Sequence, residues 1–94
     1  MRLTMDQIVN AVCLNMAERH EVPVESVEVE LLYDEDNGFS AEVWVQGRSR
    51  FLVEANLKEA IMRYMLNEYG QRVYPSQIEL DVEDEMWADI KAQQ

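Results

Sequence analysis

The chain has 94 residues, of which 48% are hydrophobic, so it can bury a core as one domain over residues 1–94 and is not compositionally disordered. Its 19 acidic residues outnumber its 8 basic ones, which gives a net charge of −11 at pH 7. This charge argues against binding to nucleic acids and to anionic membranes, because both interactions depend on cationic side chains.

The N-terminal segment predicts a helix. Thr4 and Gln7 have the spacing of a capping box, apolar residues follow at helical spacing, and Pro23 prevents continuation of the helix. We therefore place the first helix at residues 5–20. His20, the only histidine, lies at its end, where a solvated residue favoured by the helix dipole is expected rather than a catalytic group or a ligand.

Residues 27–53 alternate between apolar and polar side chains and are interrupted by turn residues, which is typical of a three-stranded antiparallel meander. The flanking helices would cover its apolar face. That face would carry the following residues of the first two strands: Val27, Val29, Leu31, Tyr33, Phe39, Ala41, Val43 and Val45.

The register of the first hairpin is predicted from the requirement that the apolar residues of both strands lie on the same face. A two-residue turn at 37–38 would place the apolar residues of the two strands on opposite faces. A three-residue loop, 36–38, instead pairs Glu35 with Phe39 and Leu31 with Val43, with glycine in a left-handed conformation at the end of the loop.

The second turn, around Gly47, is less determined by the sequence. Pairing Val45 with Ser49 would put Phe51 and Val53 on the buried face.

A second helix follows the meander almost at once. Asn56 is a suitable N-terminal cap, Glu59 occupies the reciprocal position, and Gly70 is suited to end the helix in a left-handed conformation. The apolar arc of this helix is wider than one sheet contact requires. We therefore expect it to pack against both the sheet and the first helix.

The C-terminal part repeats the earlier pattern. Residues 78–80 resemble 29–31, residues 86–90 resemble 39–43, and both pairs of segments follow a helix and flank an acidic turn. This similarity, though short, indicates a degenerate helix–hairpin duplication and makes 86–91 a strand rather than a helical tail. The predicted fold is α+β with two layers and the order α-β-β-β-α-β(-β), in which two helices cover an antiparallel sheet.

Two acidic turns raise the question of a metal site. Counted from Asp34, glycine falls at the fifth position and Val45 at the twelfth, whereas an EF-hand requires glycine at the sixth and glutamate at the twelfth. The EF-hand is therefore rejected, and no metal site is predicted. A weak divalent-cation site remains an alternative, with these candidate ligands: Asp34, Asp36, Glu83 and Asp84.

The chain shows no catalytic constellation. One cysteine and one histidine cannot form a zinc site, and the three glycines form no phosphate-binding loop. Cys13 lies among apolar residues, so we expect a buried, inert thiol. We expect a protein that is not an enzyme and has no cofactor.

The order helix–strand–strand–strand–helix is also that of double-stranded-RNA-binding domains. Their second helix begins with basic residues, whereas residues 54–59 contain two glutamates and one lysine. We therefore expect no RNA binding.

The expected location is the cytoplasm. A single cysteine excludes an internal disulfide framework and suits a reducing compartment. No apolar run approaches the roughly 20 residues of a membrane span, and the N-terminus lacks the apolar stretch of a signal peptide.

Four large apolar residues are expected to point away from the core and to form one patch: Leu32, Trp44, Leu52 and Trp87. Because monomers avoid such patches and tryptophan is enriched at interfaces, we predict a homodimer that contacts through them. The alternatives are a helix that covers the patch within the monomer, and an acidic adaptor or decoy that binds a basic protein partner.

Segments 29–31, 38–43, 47–48 and 54–56 resemble those of small acidic proteins of Bacillus-type bacteria that carry a domain of unknown function. This resemblance extends over nearly all of the chain. It implies a bacterial cytosolic origin and supplies no activity.

Overall fold

The computed structural model describes residues 1–91 and confirms the α+β class. Two antiparallel three-stranded sheets, rather than one sheet, accompany the two helices; their strand orders are β2-β3-β4 and β1-β6-β5. Short 3₁₀ turns, Val24–Ser26 and Pro75–Gln77, precede β2 and β5. The elements are β1 (Arg2–Leu3), α1 (Met5–His20), β2 (Val27–Asp34), β3 (Gly38–Val45), β4 (Arg48–Val53), α2 (Glu54–Tyr69), β5 (Ile78–Val82) and β6 (Met86–Ile90).

Helix α1 has the predicted limits, and its capping box is formed. The Gln7 N–H donates to Thr4 Oγ1 at 3.3 Å, and the Thr4 N–H donates to Gln7 Oε1 at 2.9 Å. These two bonds satisfy donors that the start of a helix leaves free. The helix ends at His20 and is followed by the capping residue Glu21, which adopts a left-handed conformation with φ 54°.

Helix α2 begins two residues before the predicted cap. Strand β4 runs directly into the helix, so Val53 occupies the cap position and Asn56 lies inside the first turn. Asn56 Oδ1 accepts a hydrogen bond from the Val53 N–H at 3.0 Å, which fixes the strand–helix junction. The predicted end is confirmed, because Gly70 has φ 64° and its N–H donates to the Leu66 carbonyl at 3.0 Å.

The first hairpin keeps the predicted faces but is shifted by two residues. Leu31 pairs with Ala41 and Val29 with Val43, and the three-residue loop is 35–37 rather than 36–38. Asp34 explains the shift, because its Oδ1 accepts the Asn37 N–H at 2.6 Å and closes the turn one residue earlier. A two-residue shift leaves every side chain on its predicted face, since side chains alternate with period two.

The second hairpin has a different register from the predicted one. Val45 pairs with Arg48 rather than with Ser49, and the turn contains two residues, Gln46 and Gly47, with φ 52° and 77°. Positive φ at both central positions is the type I′ pattern of tight hairpins. A one-residue shift reverses the faces of β4. Leu52 is therefore buried, and the prediction that Phe51 and Val53 are buried is wrong.

The two halves of the chain repeat one arrangement. Each contains a strand, a helix, a 3₁₀ turn and a hairpin, as the sequence similarity indicated for the helix and the hairpin. The first strand of each half pairs with the hairpin of the other half: Leu3 lies opposite Ala88, and Leu52 lies opposite Ala41. The predicted strand at 86–91 is confirmed as β6, whereas β1 escaped prediction because it has only two residues.

The core lies between the helices and the inner faces of the two sheets. Helix α1 packs on β2 and β6, and helix α2 packs on β3, β4 and α1, as expected from its wide apolar arc. The largest fully buried side chains are Leu3, Ile8, Val12, Met16, Val43, Leu57, Ile61 and Met65.

Candidate functional site

The predicted interface residues do not share one sheet face. Leu52 lies on the inner face and is 6% exposed, so its assignment to the interface is wrong. Leu32 and Trp44 lie half-buried on the outer face of the sheet β2–β3–β4, as expected. Trp87 belongs to the other sheet, where it pairs with Asp81.

The guanidinium of Arg2 lies over the indole ring of Trp87 in the same chain. The guanidinium carbon of Arg2 lies 4.8 Å from the centre of the indole ring, a cation–π distance. The indole is itself half-buried. Trp87 therefore already has a partner within the monomer.

Two residues that the sequence placed in the core complete the outer face instead. The register puts Phe51 opposite Glu42 and Val53 opposite Ser40, and their side chains are 66% and 60% exposed. The helices pack on the opposite face of this sheet. We call the four apolar residues of this face the outer apolar patch: Leu32, Trp44, Phe51 and Val53.

The acidic turns show no metal-binding geometry. Among residues 1–91, no three His, Cys, Asp or Glu side chains come close enough to hold a metal ion. In the first turn, both carboxylate oxygens of Asp34 accept hydrogen bonds from Asn37. These bonds lower the pKa of the Asp34 carboxyl, since they favour its charged form. Asp34 therefore closes a turn, while Asp36, Glu83 and Asp84 are exposed.

Cys13 has the environment of an inert thiol. It is half-buried, and its Sγ lies 3.9 Å from the Val27 carbonyl oxygen. Burial raises the pKa of the thiol, so the reactive thiolate is disfavoured.

Local sequence patterns do not reveal a cluster of basic residues that the fold brings together. His20, at the end of α1, lines an open cavity of about 430 Å³ together with Arg48 and Arg50 of β4. These residues are far apart in the sequence, and the one-residue error in the β4 register concealed that both arginines lie on the core side of the sheet. Only the tertiary structure brings them together.

No helix among residues 1–91 is both long enough and apolar enough to cross a membrane. The outer apolar patch and the cavity beside Arg48 and Arg50 are surface features of residues 1–91 that could bind a partner or a ligand.

Comparison with known proteins places the chain in a family without assigning an activity. No curated protein and no solved structure matches it. A family model described as a protein of unknown function (DUF2653) matches residues 1–85, and the chain therefore belongs to this family, as its resemblance to proteins with a domain of unknown function implied.

Proposed function

We propose that the protein is a non-catalytic interaction module that forms a homodimer through the outer apolar patch. The observation that carries this proposal is the exposure of Phe51 and Val53, which lie two residues apart on the same face of β4 and are 66% and 60% exposed. Contiguous exposed apolar surface of this kind marks interaction sites in small proteins. Fully burying one such side chain contributes about 1.5–3 kcal/mol, from which the entropic cost of association is subtracted.

The distribution of charge on this face favours a second copy of the chain as the partner. Of the acidic residues on this face, Glu28 and Glu30 lie on β2, at the far side of the sheet from Phe51, whereas Glu42 on the central strand lies opposite Phe51. A two-fold axis near β4 would bring the apolar residues of both copies together and keep the carboxylates of Glu28 and Glu30 at the rim, where solvent screens them; Glu42 would lie beside the contact.

Pairing through the edge of β4 is less favourable than contact through the face. Strand β4 lies at the edge of its sheet, but it carries Arg48 and Arg50. Charged side chains on an edge strand oppose pairing with an identical strand. The face therefore supports dimerisation better than the edge does.

The dimer is tested with the variant Phe51→Ser/Val53→Ser, measured by sedimentation equilibrium together with the wild type. We expect a wild-type dimer and a folded monomeric variant. The matched control is Leu66→Ser, since Leu66 is 48% exposed on α2, outside the patch, and its replacement should leave the dimer intact. A wild-type protein that stays monomeric at high concentration would contradict the proposal, as would a dimeric double variant.

An acidic adaptor that binds a basic protein is the second candidate, and the net charge of −11 favours it. Its complex would weaken as salt is added, because the attraction is electrostatic. The apolar dimer should instead persist or strengthen, since salt screens the repulsion between two acidic copies. The single cysteine supports a reducing bacterial cytosol as the place of action for either candidate.

A further inference from the structure

At the start of β4, two positions on the core side of the sheet carry arginine. Arg50 lies opposite Val43, and Arg48 lies opposite Val45. Both valines are buried, whereas both arginines are exposed. Since successive side chains of a strand alternate between faces, the two arginines project on the same side, with their Cα atoms about 7 Å apart.

The two arginines and His20 line an open cavity of about 430 Å³, and Val45 and Gln46 complete its lining. None of these lining residues is acidic. Strand β4 and the end of α1 therefore bring two guanidinium groups and an imidazole to one hollow.

Neither Arg48 nor Arg50 forms an ion pair within residues 1–91. The chain has 19 acidic residues, so carboxylates are abundant, and other basic residues do use them. Four basic side chains are paired with carboxylates in the described chain: Arg2, Lys58, Arg63 and Lys91. The two arginines of the hollow thus keep their hydrogen-bond donors available for a ligand.

We propose that this hollow binds a small, doubly charged oxyanion, namely inorganic phosphate or the phosphate group of a phosphate monoester. A guanidinium donates two parallel hydrogen bonds to adjacent oxygens of such a group, and two guanidiniums balance its two negative charges. The volume lies within the range of small-molecule sites. The outer apolar patch lies on the opposite face of the sheet, so the ligand and a second copy of the chain do not compete.

The repeated architecture supplies a comparison within the same molecule. Leu3 and Leu52 occupy equivalent positions, and the corner of the other sheet beyond Leu3 also has a cavity, lined by Arg72 and Lys91 among others. There Lys91 is paired with Glu79 at 2.8 Å, which neutralises it. This second corner therefore has one unpaired guanidinium rather than two, and the proposal assigns the ligand to the first.

The test is a titration of the full chain with inorganic phosphate at constant ionic strength. Binding is measured through the changes in the backbone amide chemical shifts. We expect saturable shifts around Arg48, Arg50 and His20. Arg48→Gln/Arg50→Gln should weaken binding at least about tenfold, because each lost charged hydrogen bond alone is of that order. The control Lys58→Gln/Arg72→Gln removes the same charge outside the hollow and should bind phosphate like the wild type.

Two further measurements test which anion the hollow binds and how the arginines bind it. Arg48→Lys keeps the charge and the fold but loses the two-point geometry, so it should bind more weakly than the wild type. Equal phosphate affinity of the wild type and the double glutamine variant, or an equal loss in the control, would overturn the proposal. Tighter binding of malonate than of phosphate would overturn the phosphate assignment.

Discussion

The guanidinium of Arg2 forms a two-point ion pair with the carboxylate of Asp89, with 2.8 Å between Nε and Oδ1 and 3.2 Å between Nη2 and Oδ2. The pair joins β1 to β6, two strands at opposite ends of the described chain. Because each half of the chain completes the sheet of the other, this contact helps to close the fold. Both side chains are exposed, so solvent screens the pair and its effect on stability is small.

The pair makes stability depend on pH. The Arg2 guanidinium holds the pKa of the Asp89 carboxyl below its ordinary value. A lowered pKa in the folded state contributes stability that is present above the ordinary pKa and is lost as the pH falls through the folded pKa. At neutral pH, Asp89→Asn should therefore melt at a slightly lower temperature than the wild type, and the difference should disappear in acid.

The control for Asp89→Asn is Glu28→Gln, which removes one negative charge from a residue without an ion pair in the described chain. It should not lower the melting temperature at neutral pH, because it relieves part of the net charge. If both variants lower the melting temperature equally, the ion pair is not the cause.

The turn between β3 and β4 can be improved by one substitution. Gln46 has φ 52°, a left-handed conformation that asparagine tolerates better than glutamine, and Asn-Gly is the preferred type I′ pair. Gln46→Asn should raise the free energy of unfolding by about 0.5 kcal/mol, and Gly47→Ala should lower it by about 1 kcal/mol. Urea denaturation measures both changes. A gain of the same size from Gln71→Asn, outside the turn, would show that the hairpin geometry is not responsible.

This turn also shows where sequence patterns fail. Gln46-Gly47 lacks the asparagine or aspartate that marks most type I′ turns, so the pattern does not determine the register. The apolar character of Phe51 and Val53 favours a register that buries both, whereas the structure buries Leu52. Since arginine occupies the two inner positions before Leu52, the apolar pattern of β4 was ambiguous.

Local chemistry was predicted more reliably than contacts between distant residues. The Thr4 cap and the Gly70 terminus depend on hydrogen bonds to neighbouring residues, so the sequence alone defines them. The pairing of β1 with β6 depends on residues at opposite ends of the chain and leaves no local pattern. The same holds for the hollow, whose histidine and arginines come from different halves.

The last prediction is that salt stabilises the fold. Net charge −11 repels itself, and the Debye length falls from roughly 30 Å at 0.01 M to about 10 Å at 0.1 M. The Cα radius of gyration is 12.8 Å, so carboxylates across the molecule interact at the lower salt concentration and are largely screened at the higher one. The melting temperature should therefore rise over this range of sodium chloride.

Two controls separate screening from other effects of salt. The monomeric variant Phe51→Ser/Val53→Ser should show the same rise, which excludes dimerisation as its cause. Calcium chloride at matched ionic strength should raise the melting temperature no further, because Asp34 is engaged with Asn37 and the other candidate ligands form no cluster within residues 1–91. A further rise with calcium would mean that the acidic turns bind the ion, whereas a melting temperature independent of sodium chloride would show that charge repulsion does not limit stability.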